Sequence, residues 1–105
     1  FKDKAQYEDG RATDLSGREA YKLYAQSFSD IMGPRGVTTL YAGSVKGLLI
    51  GAGDDLWDEV AVIQYPSTQV MLDMLRDETY QAAQQHRAAG LEGQLLIECG
   101  GAGAF

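Results

Sequence analysis

Apolar and polar positions repeat with two different periods along the chain, and the changes of period mark its elements. Tyr21, Tyr24, Phe28 and Ile31 recur at intervals of three and four, which is one stripe of a helix, and leave Lys22, Gln26, Ser29 and Asp30 for water. Ahead of this stripe stands "SGRE", Ser16 to Glu19, the pattern of a capping box in which hydroxyl and carboxylate satisfy free amides of the first turn. "GPRG", Gly33 to Gly36, ends the helix. The opening stretch 1–15, "FKDKAQYEDGRATDL", is polar, carries the turn signal Asp9-Gly10 and has no sustained period, so it reads as a connection.

From Val37 the period shortens. "VTTLYAGSVKGLLIG" is rich in β-branched and aromatic residues and predicts one long strand bent at Gly43 and Gly47. "AGDD" then turns the chain into "WDEVAVIQYP", a second strand that ends at Pro66, and so short a connection makes the pair an antiparallel hairpin. In the second strand Val60 and Val62 point one way while Ala61, Ile63 and Tyr65 point the other, so neither face is patterned for water. Helices are expected over one face and another subunit over the second.

Ser67 caps a further helix with the apolar set Val70, Met71, Met74 and Leu75. Its phase breaks at Asp77, a new N-cap ahead of Glu78 and Tyr80, and Gly90 ends the restarted helix. "GQLLIEC" predicts a last strand, and 99–105 a flexible tail. Helix, strand, strand, helix, strand is the order of a ferredoxin-like βαββαβ sandwich with an antiparallel sheet, short of its first strand. That strand belongs in the middle of the sheet and is expected before Phe1. Residues 1–105 then form one α+β domain.

Charge narrows the partners. Nine Lys and Arg against fifteen Asp and Glu leave a net charge of −6, and the cations do not cluster, so neither nucleic acid nor an anionic membrane surface is an expected partner. Apolar runs such as "GLLIGAG" and "VAVI" fall far short of the roughly 20 residues that span a bilayer. The single cysteine, Cys99, makes no intramolecular disulfide and no signal peptide opens the chain, which points to the cytoplasm. Since the first residue is Phe1, any leader would precede it.

Taken in order, "AYKLYAQSF", "YAGSVKGLLIG", "WDEVAVIQYPS", "DETYQAAQQHR" and "LLIE" resemble a family of small bacterial proteins known as a domain of unknown function, numbered thirteen-thirty. The resemblance runs over most of the chain from Phe1 to Glu98. It implies a homodimer in which two ferredoxin-like sheets face each other as a dimeric α/β barrel. Proteins of that architecture include cofactor-independent monooxygenases, lactone isomerases, polyketide cyclases, haem-degrading enzymes and stress-responsive proteins, so the fold does not decide the function.

Candidate chemistry gathers at two places. In "TYQAAQQHR" Tyr80 and Arg87 stand seven apart and share a helical stripe, while His86 lies roughly a third of a turn away. A functional reading makes Arg87 a carboxylate anchor, Tyr80 a hydrogen-bonding partner and His86 an unpaired general base. A packing reading makes them a core plug, a cation near a helix C-terminus and a solvated imidazole. On the strands, Tyr41, Trp57, Glu59, Tyr65 and Glu98 are expected to line the space between subunits, where a small apolar or aromatic ligand would sit. Glu59, alternating with Trp57, Ala61, Ile63 and Tyr65, would be a carboxylate among apolar neighbours with a raised pKa suited to proton transfer, or else a solvated strand end. Tyr21 and Tyr24 are read as core, and Cys99 as a buried, inert thiol.

Two further readings are negative. "GAGDD", 51–55, opens a hairpin rather than a helix, and its aspartates repel phosphate, so it is no nucleotide loop. One histidine, one cysteine and scattered carboxylates give no first-row metal site, which leaves haem or a hard cation open, and no bound cofactor is expected. Two functions remain: a cofactor-independent enzyme of the isomerase, cyclase or monooxygenase type acting in the homodimer, or a non-catalytic dimeric binding or assembly module.

Overall fold

Three short side chains start three helices. The Ser16 hydroxyl accepts from the Glu19 amide at 3.1 Å and the Glu19 carboxylate accepts from the Ser16 amide at 3.0 Å, a complete capping box at the head of α1 (Gly17–Met32). Such a cap contributes about 1 kcal/mol. Ser67 accepts from the Val70 amide at 3.3 Å to begin α2 (Thr68–Arg76), and Asp77 accepts from the Tyr80 amide at 3.0 Å to begin α3 (Glu78–Gly90). Asp77 is also the last cap of α2, and its extended backbone (φ −75°, ψ 123°) separates the two helices. Between α1 and the first strand lies a single 3-10 turn, Gly33–Arg35, closed by Gly36 at φ +83°, a left-handed conformation that favours glycine.

The computed structural model describes residues 1–53 and 57–100. Two strands, β1 (Thr38–Ser44) and β2 (Glu59–Gln64), pair antiparallel from Thr38 against Gln64 to Ser44 against Glu59, with an irregularity between Thr39 and Tyr41. The two strands pair antiparallel as the expected hairpin requires; of its expected turn "AGDD", residues 54–55 lie outside the described residues. The expected long strand stops at Ser44: beyond it, among the described residues, only the Val45 amide reaches across, to the Asp58 carbonyl at 2.9 Å. Trp57 and Tyr65, expected within the second strand, flank it.

The last strand does not form. Residues 91–100 are neither helix nor strand, and Leu95, Leu96 and Ile97 are 64%, 75% and 74% exposed. High β propensity becomes a strand only where a neighbour supplies ladder hydrogen bonds, and among the described residues the sheet consists of β1 and β2 alone. The ferredoxin-like sandwich is therefore not built. The sheet stays open and does not close into a dimeric α/β barrel. What stands is the α+β class, with three helices and a two-stranded antiparallel sheet. Nor do helices blanket one face of the sheet: Val60 and Val62 are half-exposed on one side and Ala61 is exposed on the other, where Tyr65 beyond the strand end reaches the helical core, and Cys99, expected to be buried, is exposed.

The core lies in the helical layer. Tyr24, Met32, Met74, Tyr80 and Ala83 form its centre, with Tyr21, Phe28, Ile31, Val37, Tyr65, Val70 and Met71 packed around them. A second, smaller core joins Ala5, Tyr7, Ala20 and Ala89, with Leu15 against it. The first fifteen residues have no helix or strand, yet they are fastened to the end of α3: the Lys2 amide donates to the Gly90 carbonyl at 2.8 Å and the Gln6 amide to the Ala89 carbonyl at 3.0 Å. No helix among the described residues is long and apolar enough to cross a membrane.

Candidate functional site

α1 packs chiefly on α3, and the contact brings phenols together. Tyr24 of α1 and Tyr80 of α3 share a buried hydrogen bond, hydroxyl to hydroxyl at 2.9 Å, with their rings edge to face at 6.0 Å. Tyr21, almost one turn before Tyr24, has its ring 5.4 Å from it, and Tyr65, just past β2, is half-buried against the same cluster. Burial pushes the Tyr24 hydroxyl far above its ordinary pKa, and the bond to Tyr80 adds to the effect. Burial also raises Tyr21 and Tyr65. These three phenols are therefore neutral at physiological pH, able both to donate and to accept.

Arg87 sits two turns beyond Tyr80 on the same stripe, as the spacing predicts, and its charge opposes the upward shifts of Tyr21 and Tyr24. It is half-buried, and its hydrogen bonds go to neutral amides: to the Gln84 side-chain oxygen at 3.3 Å and to that of Gln94. Among the described residues it has no carboxylate partner. Arg11, Arg18 and Arg35, by contrast, are paired with Asp9, Glu59 and Asp77 at 2.6, 3.0 and 2.6 Å.

The remaining sequence candidates divide. Glu59 opens β2 and pairs with Arg18 at 3.0 Å, so a cation engages its carboxylate where apolar neighbours were expected. Tyr41 is 60% exposed, with its ring lying back along its own strand over Gly43. Trp57 is 47% exposed, and neither ring belongs to the helical core. Of the seven candidates, Tyr65 and Tyr80 meet in the helical core, the charges of Arg87 and Glu59 are both felt at Tyr21 beside it, and Tyr41 and Trp57 are left outside.

His86 has a partner that the sequence did not suggest. Its Nδ1 lies 2.6 Å from the Tyr7 hydroxyl, the two rings meet edge to face at 5.5 Å, and the Arg11 guanidinium stacks 4.5 Å above the Tyr7 ring. Burial holds the imidazole below its ordinary pKa and Arg11 adds to this, so it is neutral near pH 7. With its proton on Nε2 it accepts from Tyr7. Beside it a depression of about 180 Å³ is lined by Tyr7, Glu8, Asp9 and Gln85. Tyr7 lies 79 positions from His86 in an aperiodic stretch, where no local pattern could have announced it.

The protein is thus an α+β protein whose helical layer carries a buried phenol cluster next to a half-buried guanidinium, with an open hairpin at its side. The chain belongs to the family described as domain of unknown function DUF1330, whose pattern matches residues 11–100. It is similar to the crystal structure of methylated RPA0582 protein, at 35% identity and a TM-score of 0.74 over 84% of this chain and 64% of that one. A second similar structure is of RPA0582 as a protein of unknown function from Rhodopseudomonas palustris, at 33% identity and a TM-score of 0.68 over 81% of this chain and 62% of that one. The chain thus spans just under two thirds of those proteins. No curated protein matches it. The family expected from the sequence is the family found; the barrel expected with it is not formed.

Proposed function

We propose that the protein is a homodimer that binds a small molecule with an aromatic or apolar body and a carboxylate, held at Arg87 with the hydroxyls of Tyr21 and Tyr65, while Tyr80 braces the cluster through Tyr24. One observation carries this reading: a half-buried guanidinium with no carboxylate partner among the described residues, beside neutral phenols. Arginine is suited to planar, two-point recognition of a carboxylate, and the phenol rings supply an apolar wall with polar edges. Binding is favoured over proton transfer here, because the neighbouring phenols are held neutral and Glu59 is engaged by Arg18.

Benzoate tests the reading, with benzyl alcohol as its uncharged counterpart. Calorimetric titration is expected to show benzoate binding and benzyl alcohol not, and Arg87→Gln should weaken benzoate by about ten-fold or more, equivalent to about 1.4 kcal/mol. Equal affinity for the two probes, or for the two proteins, overturns it. The homodimer is supported by the open hairpin, where Leu40, Val60 and Val62 are 59%, 50% and 49% exposed, apolar surface of the kind that marks a contact with another chain. Sedimentation velocity at micromolar concentration should give the mass of two chains; a single-chain mass removes the dimer from the proposal.

A further inference from the structure

The Tyr7–His86 contact lies apart from the phenol cluster and is independent of the reading above. It is one of several ties between the first fifteen residues and α3, and the one that holds an imidazole. The small core there consists of Ala5, Tyr7, Ala20 and Ala89 with Leu15 against it, and Tyr7 is the one large side chain of its buried set. Three alanines bury little apolar area. The segment is held by Tyr7 packing, by the Lys2 and Gln6 amides bonded to the Gly90 and Ala89 carbonyls, by the Gly17 amide bonded to the Lys2 carbonyl, by the Lys2 ammonium on the Ala88 carbonyl, by the Phe1 ring against Tyr21 and Arg18, by a 2.7 Å bond from Arg11 to Gln85, and by the bond between Tyr7 and His86.

We propose that the Tyr7–His86 pair is a pH-sensitive latch: neutral His86 holds residues 1–15 against the end of α3, and protonation of His86 releases them.

The charges around the imidazole make protonation disruptive. A protonated imidazole carries a hydrogen on both ring nitrogens, so Nδ1 can no longer accept, and the contact persists only with the Tyr7 hydroxyl turned to accept from Nδ1. The new positive charge faces Arg11, whose guanidinium is already stacked on Tyr7. The carboxylate nearest to Arg11 is Asp9, and Arg11 already engages both of its oxygens, at 2.9 Å from Nε and 2.6 Å from Nη2 to one and at 3.1 Å from Nε to the other. Glu8 stands at the rim of the adjoining depression. α1 offers only Ala20 to this packing, and α3 offers Ala89, the neutral Gln85 and the cation Arg87 next in the chain. Among the described residues no carboxylate other than Glu8 at that rim stands free near the ring to compensate the added charge, whereas an unfolded or undocked segment lets the imidazole titrate in water.

The sign follows from the direction of the shift. Docked His86 binds its proton less tightly than undocked His86, so docking is complete above the ordinary histidine pKa of about 6.5 and is lost as pH falls through the docked value. Amide hydrogen exchange of the whole protein, expressed as protection factors from about pH 7.5 down to about pH 5.5, reads this directly. Protection at Lys2 and Gln6 should fall about ten-fold or more, in step with the NMR titration of the His86 ring, while amides in the middle of α1 keep theirs. His86→Gln, which keeps an acceptor and cannot titrate, should abolish the dependence. Arg11→Gln, at an exposed position, should move its midpoint to higher pH, and decides the question even if the first variant does not fold. Protection at Lys2 and Gln6 that ignores pH, that falls equally in His86→Gln, or whose midpoint Arg11→Gln leaves in place overturns the latch.

Discussion

Alanine at Gly17 is expected to cost about 3 kcal/mol, the upper end of what over-packing usually costs. A Cβ on Gly17 would run into the Lys2 carbonyl oxygen, and would stand 2.6 Å from the Gly90 carbonyl oxygen and 2.7 Å from the Lys2 amide nitrogen. All three atoms are backbone, so no flexible side chain can yield. The opposite view is the same: a Cβ on Gly90 would meet the Gly17 carbonyl oxygen and come within 3.0 Å of the Tyr21 amide nitrogen. Two glycines thus let the start of α1, the end of α3 and the first residues of the chain share one crossing. Helix propensity pulls the other way, since alanine is better than glycine in a helix by about 1 kcal/mol in the interior, and less at the first position where Gly17 sits. The clash wins. Urea denaturation should show the loss as a lower midpoint with an unchanged slope. Gly17→Ala and Gly90→Ala should be markedly less than additive, because each opens the gap that the other needs. A wild-type midpoint for Gly17→Ala would mean that the two helices do not meet in this way.

That crossing also shows why some of the architecture was legible in the sequence and some was not. Helix starts are local: Ser16, Ser67 and Asp77 each lie within three residues of the amide they cap, so a reading of neighbours found all three. The stripe Tyr21, Tyr24, Phe28, Ile31 is local too, and these side chains do meet the core. Strands depend on partners that sequence spacing does not reveal. Leu95, Leu96 and Ile97 have the composition of a strand but no ladder neighbour among the described residues, and the stretch after Ser44 lost its pairing in the same way. The ferredoxin-like sandwich rested on those strands, whereas the barrel was what the family resemblance implied.

The candidate site divides along the same line. Tyr80 and Arg87 were linked by helical spacing alone, and the structure keeps them on one stripe of α3. Tyr7 and Arg11 carry no local signal, because polar neighbours surround the few apolar residues of their segment, of which Ala5, Tyr7 and Leu15 are used in the smaller core. At Glu59, alternation tells which neighbours share its strand face, but not that Arg18 arrives from another element.

Tyr80 is where the packing and ligand-binding readings of the site part company. It is 4% exposed, at the centre of the helical core, and its hydroxyl is already bonded to Tyr24. Tyr80→Ala removes a whole buried ring and should cost about 4 kcal/mol, within the range for large aromatic truncations in a core. Tyr80→Phe keeps the ring, loses the hydrogen bond and leaves the Tyr24 hydroxyl short of a partner, for about 1 to 2 kcal/mol. Both losses appear in thermal and urea denaturation. Benzoate then decides what the residue is for. If Tyr80 braces the cluster from beneath, Tyr80→Phe, though less stable, binds benzoate within about two-fold of wild type at a temperature where both are folded, because the ligand meets Tyr21, Tyr65 and Arg87 instead. A ten-fold loss in the phenylalanine variant would instead place the Tyr80 hydroxyl on the ligand, and the bond to Tyr24 would then be one that binding must break. The burial of both hydroxyls, and the strength of the upward shift at Tyr24 that follows from it, favour the first outcome.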